Sequence, residues 1–101
     1  MKVLFICNQN IHRSKTAERI FKDRFKTKST GIYNDTPVTE LQIEWADLIV
    51  VMEEHQRDEI KNKYHKQYLK KQIICLDIPD IYYYNQPALI NLLESKFKSL
   101  Y

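Results

Sequence analysis

A cysteine and an arginine with five residues between them, Cys7 and Arg13, lie between a strand pattern and a helix pattern near the start of the chain. Residues 3–6 are apolar at every position, which is typical of a strand covered on both faces. From Ser14 onward the apolar residues follow one helical face: Ala17, Ile20, Phe21 and Phe25. The sequence therefore predicts a buried strand, a tight loop at residues 7–14 and a helix.

This loop has the features of an oxyanion site. A loop between a parallel strand and a helix gathers its backbone N–H groups in one small space, and the helix N-terminus adds partial positive charge there. Arg13 adds a planar fork for two phosphate oxygens. The loop residues that we predict to bind the substrate are Asn8, Gln9, Asn10, Ile11, His12, Arg13 and Ser14.

Cys7 stands at the entrance of the loop, where the groups that hold phosphate also favour the thiolate. In-line attack of this sulfur on a phosphate monoester would give a cysteinyl-phosphate intermediate. Ser14, at the start of the helix, is placed to stabilise the sulfur when it leaves in the second step. We therefore predict Cys7 as the nucleophile and Arg13 as the second catalytic residue.

The departing oxygen needs a proton, and two carboxyl groups follow the last predicted strand, Asp77 and Asp80. Asp80 is the expected general acid because it lies further out in the loop, next to a run of tyrosines; Asp77 remains the alternative. The same carboxylate would activate water in the second step. Tyr82 and Tyr83 are predicted to line the cleft and to flank an aromatic leaving group.

The rest of the chain alternates apolar strand patterns with helix patterns. We expect one α/β domain over residues 1–101, a three-layer sandwich with a four-stranded parallel sheet flanked by helices. In the last helix, one face is expected to carry Leu89, Leu92, Leu93, Phe97 and Leu100. Ligands bind such sheets at the carboxyl ends of the strands.

Composition narrows the classes of partner. The net charge of +3 suits anionic ligands but is too small to predict nucleic acid binding. The sequence has no apolar run near the ~20 residues that span a bilayer, and His, Cys, Asp and Glu show no metal-ligand spacing. We expect a cytoplasmic protein without a metal or cofactor, whose partners are phosphorylated substrates. Inorganic phosphate and other oxyanions are expected to inhibit it.

Residues 7–14 resemble the active-site loop of low-molecular-weight protein tyrosine phosphatases, whose pattern is close to C-x-G-N-x-C-R-S. Four positions match it: Cys7, Asn10, Arg13 and Ser14. The resemblance implies the roles of nucleophile, loop-shaping amide, phosphate ligand and thiolate partner. Residues 45–54 resemble a strand of the family that ends in methionine and acidic residues, and residues 80–83 resemble its Asp-Pro-Tyr-Tyr acid segment. The implied activity is protein tyrosine phosphatase.

The sequence departs from this pattern at several positions. Gln9 replaces the loop glycine, and a positive φ there would cost about 1 kcal/mol and reshape the loop. His12 replaces the second loop cysteine, and Ile81 replaces the proline of the acid segment. Two other functions stay open: a phosphocarrier subunit of a sugar transport system, and a non-catalytic phosphate-binding module. The sequence leaves the natural substrate and the oligomeric state undetermined.

Overall fold

Four parallel strands form the centre of the protein. The computed structural model describes the backbone of residues 1–100 and the side chains of residues 1–99. The strands are β1 (Lys2–Cys7), β2 (Lys26–Gly31), β3 (Leu48–Val51) and β4 (Gln72–Cys75). All pairings are parallel and the spatial order is β2-β1-β3-β4. The predicted four-stranded parallel sheet is confirmed.

Helices connect the strands: α1 (Arg13–Phe21), α2 (Glu40–Trp45), α3 (Glu54–Lys63), α4 (His65–Lys70) and α5 (Pro87–Leu100). The first helix is shorter than its apolar spacing indicates, because Lys26 already pairs with Met1 and begins β2. Thr36 and Pro37 have the residue types of a helix N-cap and first helical position, but the second helix begins only at Glu40. Thr39 is its N-cap, with Oγ1 accepting from the Gln42 amide at 3.2 Å.

The sheet is covered on both faces, which confirms the three-layer arrangement. Alternate residues of β1 enter separate cores: Val3 and Phe5 pack with α1 and α5, and Leu4 and Ile6 pack against the opposite face. The first core takes Leu89, Leu93 and Phe97 from α5, with Leu92 partly buried against it. Leu100 was expected on this face, but its side chain lies outside the described residues. No helix within residues 1–100 combines the length and apolar character needed to cross a bilayer.

The strand order fixes where a ligand can bind. From β1 the chain moves to one side of the sheet to form β2, and β3 lies on the other side of β1. Where the strand order reverses in this way, a crevice forms at the carboxyl ends of the two adjacent strands, here β1 and β3. Cys7 ends β1 at this edge, and Glu53 follows the end of β3.

Gly31 lets the end of β2 approach the loop after β1. The Ile32 amide donates to the carbonyl oxygens of Cys7 and Asn8, and the Tyr33 amide also donates to Asn8, all at 2.9–3.0 Å. A Cβ at position 31 would lie 2.8 Å from the Asn8 carbonyl oxygen and 2.9 Å from Asn34 Oδ1. The φ of Gly31 is not positive, so close approach, and not backbone freedom, requires glycine here.

We predict that Gly31→Ala lowers the free energy of unfolding by about 1–3 kcal/mol, because the backbone of the loop has to shift. Urea denaturation measures this loss. Lys26→Ala, at an exposed position of the same strand, is the matched control and should change stability by less than about 0.5 kcal/mol. Equal stability of the two variants would show that the approach at Gly31 is not tight.

Candidate active site

A cleft of about 400 Å³ opens at the carboxyl edge of the sheet. It brings together two segments far apart in the sequence, the loop at residues 7–14 and the β4–α5 loop at residues 76–86. Its lining residues are Cys7, Gln9, Ile11, His12, Arg13, Asp80, Ile81, Tyr82 and Tyr83. The three predicted catalytic residues, Cys7, Arg13 and Asp80, therefore share one cleft.

The sulfur of Cys7 is in a hydrogen-bonded chain of polar side chains. Cys7 Sγ lies 3.0 Å from Ser14 Oγ, and Ser14 Oγ donates to Asn10 Oδ1 at 2.7 Å. Asn10 Nδ2 in turn lies 3.4 Å from the Ser29 carbonyl oxygen. Because Ser14 has one hydroxyl proton, it can donate to the sulfur only when it breaks its hydrogen bond to Asn10 Oδ1. The arrangement suits a sulfur that alternates between thiol and thiolate.

The backbone of the loop is held by its carbonyl groups. Cys7 and Asn8 accept from the segment after β2, and His12 O accepts from the Thr16 amide at 2.9 Å. Among residues 1–100, no acceptor receives a hydrogen bond from the backbone amides of residues 9–14. These donors remain available for an anion, and the start of α1 adds its positive end.

The loop reaches its tight shape through Asn10 and not through Gln9. Asn10 has a φ of 57°, whereas Gln9 has no positive φ. Asparagine tolerates this left-handed region better than most residues. The condition for backbone strain at Gln9, a positive φ, is therefore not met, and the exposed glutamine side chain lies at the cleft.

Asn8, Asn10 and Ser14 support the loop with their side chains and do not line the cleft. Asn8 Oδ1 accepts from Gln56 Nε2 at 3.0 Å and lies 2.7 Å from His55 Nε2, which joins the loop to α3. Gln56 is fully buried, and its Oε1 accepts from the amides of Met52 and Glu53 at 2.8 and 3.1 Å. The side chain of Asn8 is thus fixed away from a bound substrate.

Arg13 is the largest fully buried side chain, with 1% of its surface exposed. Its Nη1 donates to the Glu53 carboxylate and, at 2.7 Å, to the Ile78 carbonyl oxygen. Its Nη2 lies 3.7 Å from Asp80 Oδ1. A buried guanidinium needs such partners, since an unpaired charge in the interior is strongly unfavourable. The ends of β3 and β4 therefore fix the orientation of the arginine.

Sequence reasoning missed Glu53 as the partner of Arg13. A signal was present, because Glu53 directly follows β3 and so lies at the same sheet edge as Cys7. The choice between this carboxylate and the adjacent Glu54 depends on side-chain direction, which the sequence alone does not give. The carbonyl of Ile78 had no sequence signal.

The β4–α5 loop places its two candidate acids differently. Asp80 lies in the cleft, 3.7 Å from the arginine, with its side chain 53% exposed. Asp77 lies outside the cleft lining, has a φ of 54°, and accepts a hydrogen bond from Cys75 Sγ at 3.4 Å. Tyr82 and Tyr83 lie on the cleft wall. The geometry favours Asp80 over Asp77 as the general acid.

Cys75, the second cysteine, is buried at the end of β4. Burial raises the pKa of its thiol from an ordinary value near 9 to about 12. The donor atoms of Glu54, Cys75 and Asp77 lie within 4.8 Å of one another. The cysteine of this trio is a protonated thiol that donates to the aspartate, so a metal ion would have to displace that proton. The other two side chains of the trio, Glu54 and Asp77, are exposed.

We predict that Glu53→Ala lowers the free energy of unfolding by about 2–4 kcal/mol, because it leaves the buried Arg13 charge without its carboxylate. The dissociation constant for inorganic phosphate should rise as well, since the guanidinium loses its fixed orientation. Urea denaturation and calorimetric titration measure the two effects. Glu54→Ala removes an adjacent, exposed carboxylate and is the matched control. Equal effects of the two substitutions would contradict the assigned role of Glu53.

We predict that Cys75 contributes to a loss of stability above about pH 9. The unfolded thiol ionises near its ordinary value, while the pKa of about 12 keeps the folded thiol protonated, so rising pH favours the unfolded chain between these values. Cys75→Ala should therefore flatten the decrease in unfolding free energy between about pH 9 and 11. Urea denaturation across that range tests this, and identical slopes would refute it.

Comparisons with known proteins agree with this geometry. The model of the family described as low molecular weight phosphotyrosine protein phosphatase matches residues 2–36, from β1 to just beyond β2. This segment contains the whole loop from Cys7 to Ser14. No curated protein sequence matches the chain.

Three solved structures illustrate the structural likeness. The YwlE arginine phosphatase from Geobacillus stearothermophilus is 17% identical, with a TM-score of 0.76 over 98% of this chain and 92% of that chain. The tyrosine phosphatase Wzb from Escherichia coli K30, in complex with phosphate, is 22% identical, with a TM-score of 0.79 over 98% and 94%. The low molecular weight protein tyrosine phosphatase SP-PTP from Streptococcus pyogenes is 19% identical, with a TM-score of 0.79 over 98% and 89%.

The resemblance noted in the sequence is thus confirmed. The chain matches the low molecular weight phosphotyrosine protein phosphatase family over residues 2–36, and over nearly its whole length it has the fold of phosphatases of that kind.

Proposed function

We propose that this protein is a cysteine-dependent phosphomonoester hydrolase of the tyrosine phosphatase type. One observation carries the proposal: the sulfur of Cys7, the guanidinium of Arg13 and the carboxyl of Asp80 lie in the same cleft. The first is a nucleophile, the second binds phosphate oxygens, and the third can supply a proton. Unpaired loop amides complete the site for a phosphoryl group.

In the first step, the Cys7 thiolate attacks phosphorus in line with the leaving oxygen. The S–P bond forms as the P–O bond to the substrate breaks, and Asp80 transfers its proton to the departing oxygen. Arg13 and the loop amides stabilise the negative charge on the equatorial oxygens.

In the second step, water attacks the cysteinyl-phosphate. The Asp80 carboxylate accepts a proton from the water, a P–O bond forms, and the S–P bond breaks to release phosphate and the thiolate. Ser14 Oγ, 3.0 Å from the sulfur, can turn its proton from Asn10 to the thiolate and so stabilise the leaving group. Inorganic phosphate binds the same site and inhibits competitively.

The walls of the cleft favour an aromatic leaving group. Ile11 and Ile81 are 56% and 72% exposed, and Tyr83 is 70% exposed, so large apolar side chains surround the entrance. Exposed apolar groups around a polar centre bind a flat apolar ring well. We propose phosphotyrosine in proteins as the substrate class. Phosphoarginine, which the name of the Geobacillus structure suggests for that enzyme, is the comparison substrate.

Two further properties belong to this proposal. We propose that residues 1–101 act as a single catalytic domain without a metal or cofactor. We also place the protein in the cytoplasm, where reducing conditions keep Cys7 as a reactive thiol.

We predict that wild-type protein hydrolyses p-nitrophenyl phosphate and phenyl phosphate, and that Cys7→Ser abolishes both activities because no thiolate remains. Asp80→Asn should lower kcat for phenyl phosphate by about 100-fold or more. The loss for p-nitrophenyl phosphate should be smaller, since nitrophenolate leaves without a proton more readily. Steady-state kinetics with phosphotyrosine and phosphoarginine peptides then test the substrate class.

Asp77→Asn is the matched control, because it removes a carboxylate of the same loop that lies outside the cleft lining. A larger loss in Asp77→Asn than in Asp80→Asn would reverse the assignment of the acid. Thermal stabilisation by phosphate without turnover between about pH 5 and 8 would favour a binding module. A stable cysteinyl-phosphate that does not release phosphate to water would favour a phosphocarrier.

A further inference from the structure

We propose that His12 is a positioning residue that holds the β4–α5 loop, and with it Asp80, against the cleft, and that protonation of its imidazole breaks this one contact and loosens the loop at Tyr84. The family pattern has a cysteine at this position, whereas this chain has a histidine. The effect on catalysis rests on the proposed function, whereas the contact itself does not.

Three hydrogen bonds dock the β4–α5 loop onto α1 and the residue before it. The Tyr84 amide donates to His12 Nδ1 at 2.9 Å, and the Asn85 amide donates to Thr16 Oγ1 at 2.8 Å. Arg19 Nε donates to Asn85 Oδ1 at 2.6 Å. Together they fix the far end of the segment that carries Asp80, Tyr82 and Tyr83.

The hydrogen bond from the Tyr84 amide to His12 Nδ1 requires one protonation state of the imidazole. A backbone amide can only donate, so Nδ1 must accept with its lone pair, and the imidazole is neutral with its proton on Nε2. Protonation of Nδ1 would place two N–H groups against each other. The hydrogen bond from the Tyr84 amide to His12 is then lost, while the two bonds to Asn85 and the bond from Arg13 to the Ile78 carbonyl oxygen remain.

The other two hydrogen bonds that dock the loop do not depend on pH in this way. Thr16 and Asn85 do not titrate, and Arg19 stays charged throughout the working range. The titratable and charged groups that share the cleft with His12 are Cys7 and Arg13 from the first loop and Asp80, Tyr82 and Tyr83 from the second. Because Cys7 and Asp80 also affect the pH–rate profile, the rate alone does not isolate His12.

Asn85 has the backbone that this docking requires. Its φ is 64°, in the left-handed region that asparagine adopts more readily than most residues. This turn lets one residue donate its amide to Thr16 and accept from Arg19. The end of the loop is therefore shaped for contact with α1, and His12 adds a contact there that responds to pH.

The test measures hydrogen exchange of the Tyr84 amide and the titration of His12 by NMR in the same full-length samples. In wild type, protection of the Tyr84 amide should fall in proportion to the protonated fraction of His12, by about tenfold in total, as expected for the loss of one hydrogen bond. Neither readout requires catalysis, so the result stands even if no phosphatase activity is found.

Two substitutions at His12 distinguish the loss of the hydrogen-bond acceptor from the loss of the titratable ring. In His12→Asn, the Oδ1 atom offers an acceptor at the position of Nδ1 and does not titrate, so Tyr84 should stay protected across the pH range. In His12→Ala the amide should exchange fast at every pH. The kcat for phenyl phosphate should fall about tenfold in the alanine variant and recover in large part in the asparagine variant. Inhibition by phosphate should change less than kcat in both variants.

Thr16→Val is the control for a general loosening of the loop. It removes the acceptor of the Asn85 amide and also the 2.7 Å hydrogen bond from Thr16 Oγ1 to the His12 carbonyl oxygen, which keeps the Thr16 amide as its donor. It should therefore lower protection at Asn85 while leaving the pH dependence at Tyr84 intact. If protection of Tyr84 is the same in wild type, His12→Ala and His12→Asn, or does not follow the titration of His12, the proposal is overturned. Hydrolysis together with that negative result would leave the phosphatase assignment standing.

Discussion

The ion pair between the buried Arg13 and the partly exposed Glu53 fixes the geometry of the whole site. A guanidinium with 1% exposure has few allowed orientations once Nη1 donates to a carboxylate and to the carbonyl of Ile78. These partners follow β3 and β4, whereas the arginine begins α1 after β1. The pair therefore joins three parts of the sheet edge and orients the cation toward the same cleft as the nucleophile. Desolvation makes such pairs unfavourable unless their hydrogen bonds are satisfied, which explains the additional carbonyl acceptor.

Around this pair the chain builds two loops with different supports. The loop at residues 7–14 is fixed through its carbonyl groups and through Asn8 and Asn10, which leaves the amides of residues 9–14 without an acceptor among residues 1–100. The β4–α5 loop, which carries Asp80, is held by contacts with α1 and with the imidazole of His12. Rigid support suits a group that stabilises charge, because preorganised donors do not have to reorient during the reaction. A loop that carries the acid needs more freedom, since substrate enters past it.

The sheet and the nucleophile loop could be predicted from sequence because they depend on local signals. Apolar runs at β1, β3 and β4 give the parallel sheet, and the spacing from Cys7 to Arg13 gives the loop. Contacts between residues far apart in the chain could not be predicted from the sequence. Whether Asn10 or Gln9 takes the left-handed turn, and whether Glu53 or Glu54 meets the arginine, depends on side-chain direction in the folded state. The role of His12 depends on a contact with Tyr84, 72 positions away.

The central claim is that the sulfur of Cys7 itself receives the phosphoryl group and then releases it to water. The most direct measurement is rapid acid quenching of wild-type protein during turnover of a phosphotyrosine peptide, followed by mass spectrometry of the modified chain. We expect one phosphoryl group on Cys7 that appears before free phosphate and disappears as phosphate is released. A phosphoryl group on Ser14 or His12, or free phosphate formed with Cys7 unmodified throughout, would contradict it.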